Sequence, residues 1–137
     1  MKIRLQDGLP HVSATLVFRG EQLLLDDVLV DTGSAGTILS ADKTLGIGVR
    51  YEPDDFVHRI RGVGGAEFVF GKQIDVLTVG ELEVHDLQVE IGAMEYGLDL
   101  DGIIGIDFLV KTNAVIDLAQ MQLYLSLIHI SEPTRPY

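Results

Sequence analysis

Cysteine is absent from the chain, which excludes disulfides, thiolate nucleophiles and cysteine-ligated zinc, and fits a reducing compartment such as the cytoplasm. Basic residues are scarce: 10 Lys and Arg against 21 Asp and Glu leave a formal net charge of −11. That sign gives no overall attraction to phosphate backbones or anionic lipid, so no nucleic-acid partner is expected. Long apolar runs are missing as well. No stretch approaches the roughly 20 residues that span a bilayer, and Met1 to Pro10 lacks the apolar centre of a signal peptide, so a soluble chain with no membrane partner is expected.

What is present favours strands. A chain of 137 residues that is 47% hydrophobic is long enough for one ordinary core and too short for two. Fifteen glycines and several β-branched apolar runs, with few helix-period segments, place that core in a sheet.

His11 to Phe18 alternates as a strand, Arg19-Gly20-Glu21 offers a turn, and Gln22 to Val30 returns as a second apolar run. This second strand runs straight into Asp31-Thr32-Gly33-Ser34. Ser40 is placed to cap a short helix through Leu45, with Gly46 as a left-handed stop. Phe56 to Arg61 and Ala66 to Phe70 flank Gly62-Val63-Gly64-Gly65, the composition of a mobile hairpin tip. Ile74 to Val79 and Leu82 to Ile91 form another strand pair, and the change of apolar parity predicts a bulge near His85-Asp86. Ile103-Ile104-Gly105 leads into a helix over Ile106 to Lys111, and Ala114 to Asp117 with Gln122 to Tyr124 forms a last hairpin.

Taken alone, Asp31-Thr32-Gly33 has an ordinary reading, because aspartates often cap turns through their own backbone. The order of features changes the balance. An apolar strand, Leu29-Val30, delivers a carboxylate, a hydroxyl and a glycine turn; a glycine-tipped hairpin follows; and Leu100-Asp101-Gly102-Ile103-Ile104-Gly105 continues into Ile106-Asp107-Phe108-Leu109. In these motifs the chain, from about His11 to Tyr124, resembles the retropepsin-like aspartic peptidases, especially bacterial single-domain members. The resemblance implies a mainly β fold, a retropepsin-like closed barrel of the acid protease type with one or two short helices. It implies an aspartic endopeptidase with Asp31 as the catalytic residue and Thr32, Gly33 and Ser34 as its supporting loop. Thr32 would brace two such loops across a two-fold axis, the Gly33 amide would face the carboxylates, and Ser34 would bond the outer oxygen of Asp31. Gly62, Val63, Gly64 and Gly65 would form a flap over substrate, and Ile103, Ile104 and Gly105 would thread beneath the catalytic loop. Ile38, Val63 and Ile104 are candidate pocket residues.

Peptide hydrolysis without metal or thiol needs one group to deprotonate water and another to protonate the leaving nitrogen, and two carboxylates sharing a proton do both. The chain has one Asp-Thr-Gly, so the second carboxylate must come from another copy, and a homodimer acting on a polypeptide substrate is expected. The alternative from another class is a non-catalytic peptide-binding or assembly module on the same fold.

No cofactor or metal is expected. Gly62-Val63-Gly64 has Glu67 where a dinucleotide loop needs its third glycine, and Asp99-Leu100-Asp101-Gly102 lacks the first and last ligands of a calcium loop. His11, His58 and His85 have no metal-ligand spacing and read as surface residues, while Asp26-Asp27 and Asp54-Asp55 read as solvated turn charges. Leu125 to Arg135 resembles the translation of a sequencing adaptor. The expected organisation is therefore a peptidase domain over residues 1–124 and an artefactual tail over 125–137, which contains His129.

Overall fold

The computed structural model describes residues 1–62, 65–94 and 99–127 of the chain. Its elements are β1 (Arg4–Gln6), β2 (Leu9–Phe18), β3 (Glu21–Val30), β4 (Ile38–Ser40), α1 (Ala41–Leu45), β5 (Val57–Gly62), β6 (Gly65–Val79), β7 (Leu82–Gly92), β8 (Gly102–Ile104), α2 (Ile106–Lys111), β9 (Ala114–Asp117) and β10 (Gln122–Leu125). The expectation of a mainly β chain with two short helices is met. Eight strands lie in the order β1-β2-β3-β8-β4-β7-β6-β5, and a further pairing of β2 with β6 closes six of them into a ring. A closed ring leaves fewer strand edges open to other chains.

Local chemistry accounts for the connections. Arg19 and Gly20 both take positive φ, 48° and 85°, between the last paired residues Phe18 and Glu21. Left-handed backbone at both central positions twists a two-residue turn in the sense of its flanking strands. Ser40 caps α1 by accepting the Lys43 N–H at 3.3 Å. The expected stop at Gly46 is not left-handed, having φ −60°; Gly48, at φ 87°, takes that role because the chain makes one more turn, with Gly48 and Val49 N–H groups bonding back to Leu45 and Thr44.

Two expectations about the strands change. The segments from Ala66 and from Ile74 are one continuous strand, β6, rather than two. The bulge near His85-Asp86 is absent as a register shift. Ile74↔Leu87 and Val76↔His85 keep the same register, and only the intervening pair lapses, where Asp86 has φ 55°. Both strands change their buried parity together at that point, so pairing survives. The shift in register lies instead between β2 and β3, at Val12/Ala14, where β3 carries one extra residue in the Asp26-Asp27 region.

The main core lies inside the ring, with Leu16, Leu25, Leu39, Leu77, Ile104 and Phe108 among its fully buried side chains. Each such side chain contributes about 1.5–3 kcal/mol by leaving water. A smaller cluster of Leu29, Met94, Leu100 and Ile103, with Leu9 and Ile38 packed against it, forms separately. Alternation along β3 and β8 explains the division: Val28, Val30 and Ile104 face the main core, and Leu29 and Ile103 face the other side. The β9–β10 hairpin stands apart from the large sheet and is joined to the N-terminus through Ile3 N–H to Met121 O and Leu123 N–H to Met1 O, both 2.8 Å. β10 ends at Leu125, one residue past the expected domain boundary, and residues 128–137 lie outside the described residues.

Candidate active site

The site is built where β8 inserts between two strands that are consecutive in sequence. It pairs in parallel with β3 through Val28↔Gly102, Leu29↔Ile103 and Val30↔Ile104, and antiparallel with β4 through Ile38↔Ile103 and Leu39↔Gly102. The segment from Asp31 to Thr37 must therefore loop over the end of β8. Asp31 N–H donates to Ile104 O at 3.0 Å, which extends the parallel pairing by one residue and places the side chain at the rim of the ring. By alternation Asp31 shares its face with Leu29.

Asp31 is half-buried, and its Oδ1 accepts the Gly33 N–H at 2.9 Å. Its backbone O accepts the Ser34 N–H at 3.1 Å, which closes the turn. Thr32 and Gly33 are exposed. The Ser34 hydroxyl does not reach Asp31, contrary to expectation; it donates to Gly36 O at 2.7 Å, because the turn carries Ser34 beyond the carboxylate.

Two further residues fasten this loop, and the sequence did not single them out. Thr37, 0% exposed, donates its hydroxyl to Asp107 Oδ1 at 2.8 Å and its N–H to Asp107 Oδ2 at 3.2 Å, while its Oγ1 accepts the Gly105 N–H at 3.3 Å. Asp107, in the first turn of α2, also accepts the Phe108 N–H at 2.8 Å. Ile106 N–H donates to Ser34 O at 2.8 Å. Gly105 sits so close that a Cβ there would lie 2.4 Å from Gly36 O and 2.7 Å from Ser34 O. Asp107 stood in plain view in the sequence, but an aspartate in a helix's first turn also serves simply as a cap, and nothing local marks Thr37 as its partner.

At the far end of β8, Asp101 performs a similar service. Its Oδ2 accepts the Asp26 and Asp27 N–H groups, both at 3.1 Å, where the extra residue of β3 leaves them without a strand partner. Asp26 and Asp27 are thus strand residues, not turn charges. The fragment Asp99 to Gly102 also finds its use here, since the Asp101 carboxylate binds backbone.

Gly62 and Gly65 are the last paired residues of the β5–β6 hairpin, and Val63 and Gly64 lie outside the described residues. The root of this hairpin is tied down by charge. Lys72, 4% exposed, bonds Asp55 and Glu52, and Arg19 bonds Glu52 at 2.7 Å. The hydrogen bonds from Arg19 and Lys72 pull the Glu52 carboxyl down to about 2. Burial works against both the Asp55 carboxylate and the Lys72 ammonium, yet their hydrogen bonding prevails, lowering Asp55 and raising Lys72 from their ordinary values. Asp55 is therefore an ion-pair partner rather than a solvated turn charge.

Of the expected pocket residues, Ile38 is half-buried beside the smaller cluster, but Ile104 is 0% exposed in the main core; its neighbour Ile103 faces the smaller cluster and is itself buried. His11 is corrected too. It is 5% exposed on β2 opposite Leu29, where the sheet covers it, whereas His58 and His85 remain largely open. Among the described residues no group of three or more His, Asp or Glu side chains is arranged to hold a metal ion.

A β ring with one strand threaded between two others, and an Asp-Thr-Gly loop clamped above it, defines an acid-protease type of domain. The aspartyl protease family profile matches residues 14–108, and the chain belongs to that family. Its fold is similar to the crystal structure of a retropepsin-like aspartic protease from Rickettsia conorii, with a TM-score of 0.59 and 17% identity over 85% of this chain and 81% of that one. No curated protein matches the chain by sequence. Among the described residues no helix is long and apolar enough to cross a membrane.

Proposed function

We propose that the chain is one protomer of a homodimeric aspartic endopeptidase, in which Asp31 from each copy forms the catalytic pair. The observation that carries this reading is the support given to Asp31: its backbone is bonded to β8, its Oδ1 to the Gly33 amide, and its loop to Thr37, Asp107 and Gly105. A surface aspartate that only capped a turn would need none of the last three.

Two such carboxylates at contact distance do not both ionise readily, so one holds a proton while the other is free to take one. The ionised carboxylate deprotonates a water, which attacks the peptide carbonyl; the protonated one donates to that carbonyl and, later, a proton passes to the leaving nitrogen. Thr32 and Ser34 belong to the catalytic loop in this reading, with Thr32 exposed where a second copy would meet it. The β5–β6 hairpin with Gly62, Val63, Gly64 and Gly65 is the flap, and Ile103, Ile104 and Gly105 are the threaded support. The substrate is a polypeptide bound in extended form. The catalytic unit is residues 1–124, and the cysteine-free composition suits a cytoplasmic place of action.

The test is Asp31→Asn. An endopeptidase loses turnover of peptide substrates by several orders of magnitude, on the order of 10³-fold or more, while still binding them. A binding module keeps its affinity and shows no turnover in either form, and that outcome sinks the reading.

A further inference from the structure

One register row crosses the face that carries Asp31. His11, Leu29, Ile103, Ile38, Glu90 and Gly71 are successive pairing partners on β2, β3, β8, β4, β7 and β6. Partners on neighbouring strands project to the same side of a sheet, so their side chains share one surface. The centre of the row is apolar, through Leu29, Ile103 and Ile38. Glu90 interrupts that character.

Its carboxylate is held but not satisfied. Oε1 lies 2.7 Å from Nε2 of His58, on the far side of β6, where Gly71 presents no side chain to keep the two apart. An ionised carboxylate only accepts, so this contact is an N–H donated by the imidazole. Oε2 has no hydrogen-bond partner among the described residues and is itself covered, although the Glu90 side chain as a whole is 26% exposed. A buried charged oxygen without a donor is unfavourable, and a donor arriving with a ligand relieves it. Next to Glu90 the surface continues into a groove of about 380 Å³ lined by Asp54, Asp55, Phe56, Gly71, Gln73 and Gln88, with no basic residue among them. Asp55 is already paired with Lys72, which leaves Asp54 and the two glutamines as the polar lining.

We propose that Glu90 is a specificity determinant that receives a cationic side chain, Lys or Arg, from the extended polypeptide bound over this face. The proposal rests on the peptidase reading for the path of the substrate. Since Oε1 is taken by His58, Oε2 is the oxygen left for a new donor, and the site takes Lys and Arg alike rather than requiring the two-oxygen fork of Arg. Three strand spacings separate β3 from β7, about 14 Å, so at roughly 3.3 Å per residue the cationic residue lies within about four positions of the scissile bond.

Binding to the Asp31→Asn protein tests this whether or not the natural chain cleaves. Short peptides with Lys, Met or Glu at one position in turn are titrated by calorimetry. At one position Lys is favoured over Met by about tenfold or more, as a charge-assisted hydrogen bond provides; adding Glu90→Gln removes the preference, and adding Glu90→Lys turns it towards Glu. Absence of any Lys preference, or one that persists through both substitutions, overturns the proposal. Digestion of the same peptides by the natural chain is read separately: lack of Asp31-dependent cleavage defeats the peptidase reading, while the Lys-to-Met comparison still decides the role of Glu90.

Discussion

The Asp31 loop depends on residues packed beneath it, and Gly105 is the least replaceable of them. A methyl group there would meet backbone atoms of Ser34 and Gly36, which have no rotamer to escape into. Gly105→Ala therefore pushes the Asp31 loop off β8. We expect a loss of about 1–3 kcal/mol in urea unfolding, the range for overpacking a tight site, together with a fall in turnover by the proposed peptidase. Unchanged stability and turnover would show that the loop has room to spare. The residue scale is also where the sequence was least legible. Asp31 and its glycine were visible because the chemistry and the turn are local. The partnership of Thr37 with Asp107 was not, because it joins positions far apart in the chain. The buried state of His11 was hidden for the same reason: its cover comes from strands that alternation along β2 alone does not reveal.

At the level of elements, hairpins and helices were readable from turn residues and caps, such as Arg19-Gly20 and Ser40. The insertion of β8 between β3 and β4 was signalled only by family resemblance, since nothing in Gly102-Ile103-Ile104 states which strands it will meet. The β5–β6 hairpin supplies a prediction of its own. Glu52 has its carboxyl lowered from 4.5 to about 2, so its ion pairs stabilise the fold fully above about pH 4.5 and are lost as the pH falls towards 2. Asp55 is shifted in the same direction, whereas Lys72, raised above 10.5, stays charged throughout this range. Hydrogen exchange at the β6 amides near Lys72 should accelerate, relative to the core, between those pH values. In Lys72→Met that extra acid sensitivity should shrink, because Glu52 then keeps only Arg19; an identical pH profile in the two proteins would count against the clasp.

For the molecule as a whole, a site that needs two copies of Asp31 obeys mass action. Specific activity of the proposed peptidase should rise with protein concentration and level off once the dimer is saturated, and light scattering over the same range should show the mass doubling. Activity strictly proportional to concentration down to a demonstrable monomer would rule out the shared pair. The mainly β class of the six-strand ring was foreseeable from glycine and β-branched content and its closure from the family resemblance, while the particular pairing of β2 with β6 that closes it emerged only in three dimensions.

The order in which the chain is made adds a safeguard. A ribosome releases Asp31 well before it has synthesised Gly102–Ile104, and until that short wedge arrives the acidic loop has nothing to rest on. In the proposed peptidase a nascent copy thus leaves the tunnel blunt, and its cutting edge is set only once β8 has been made.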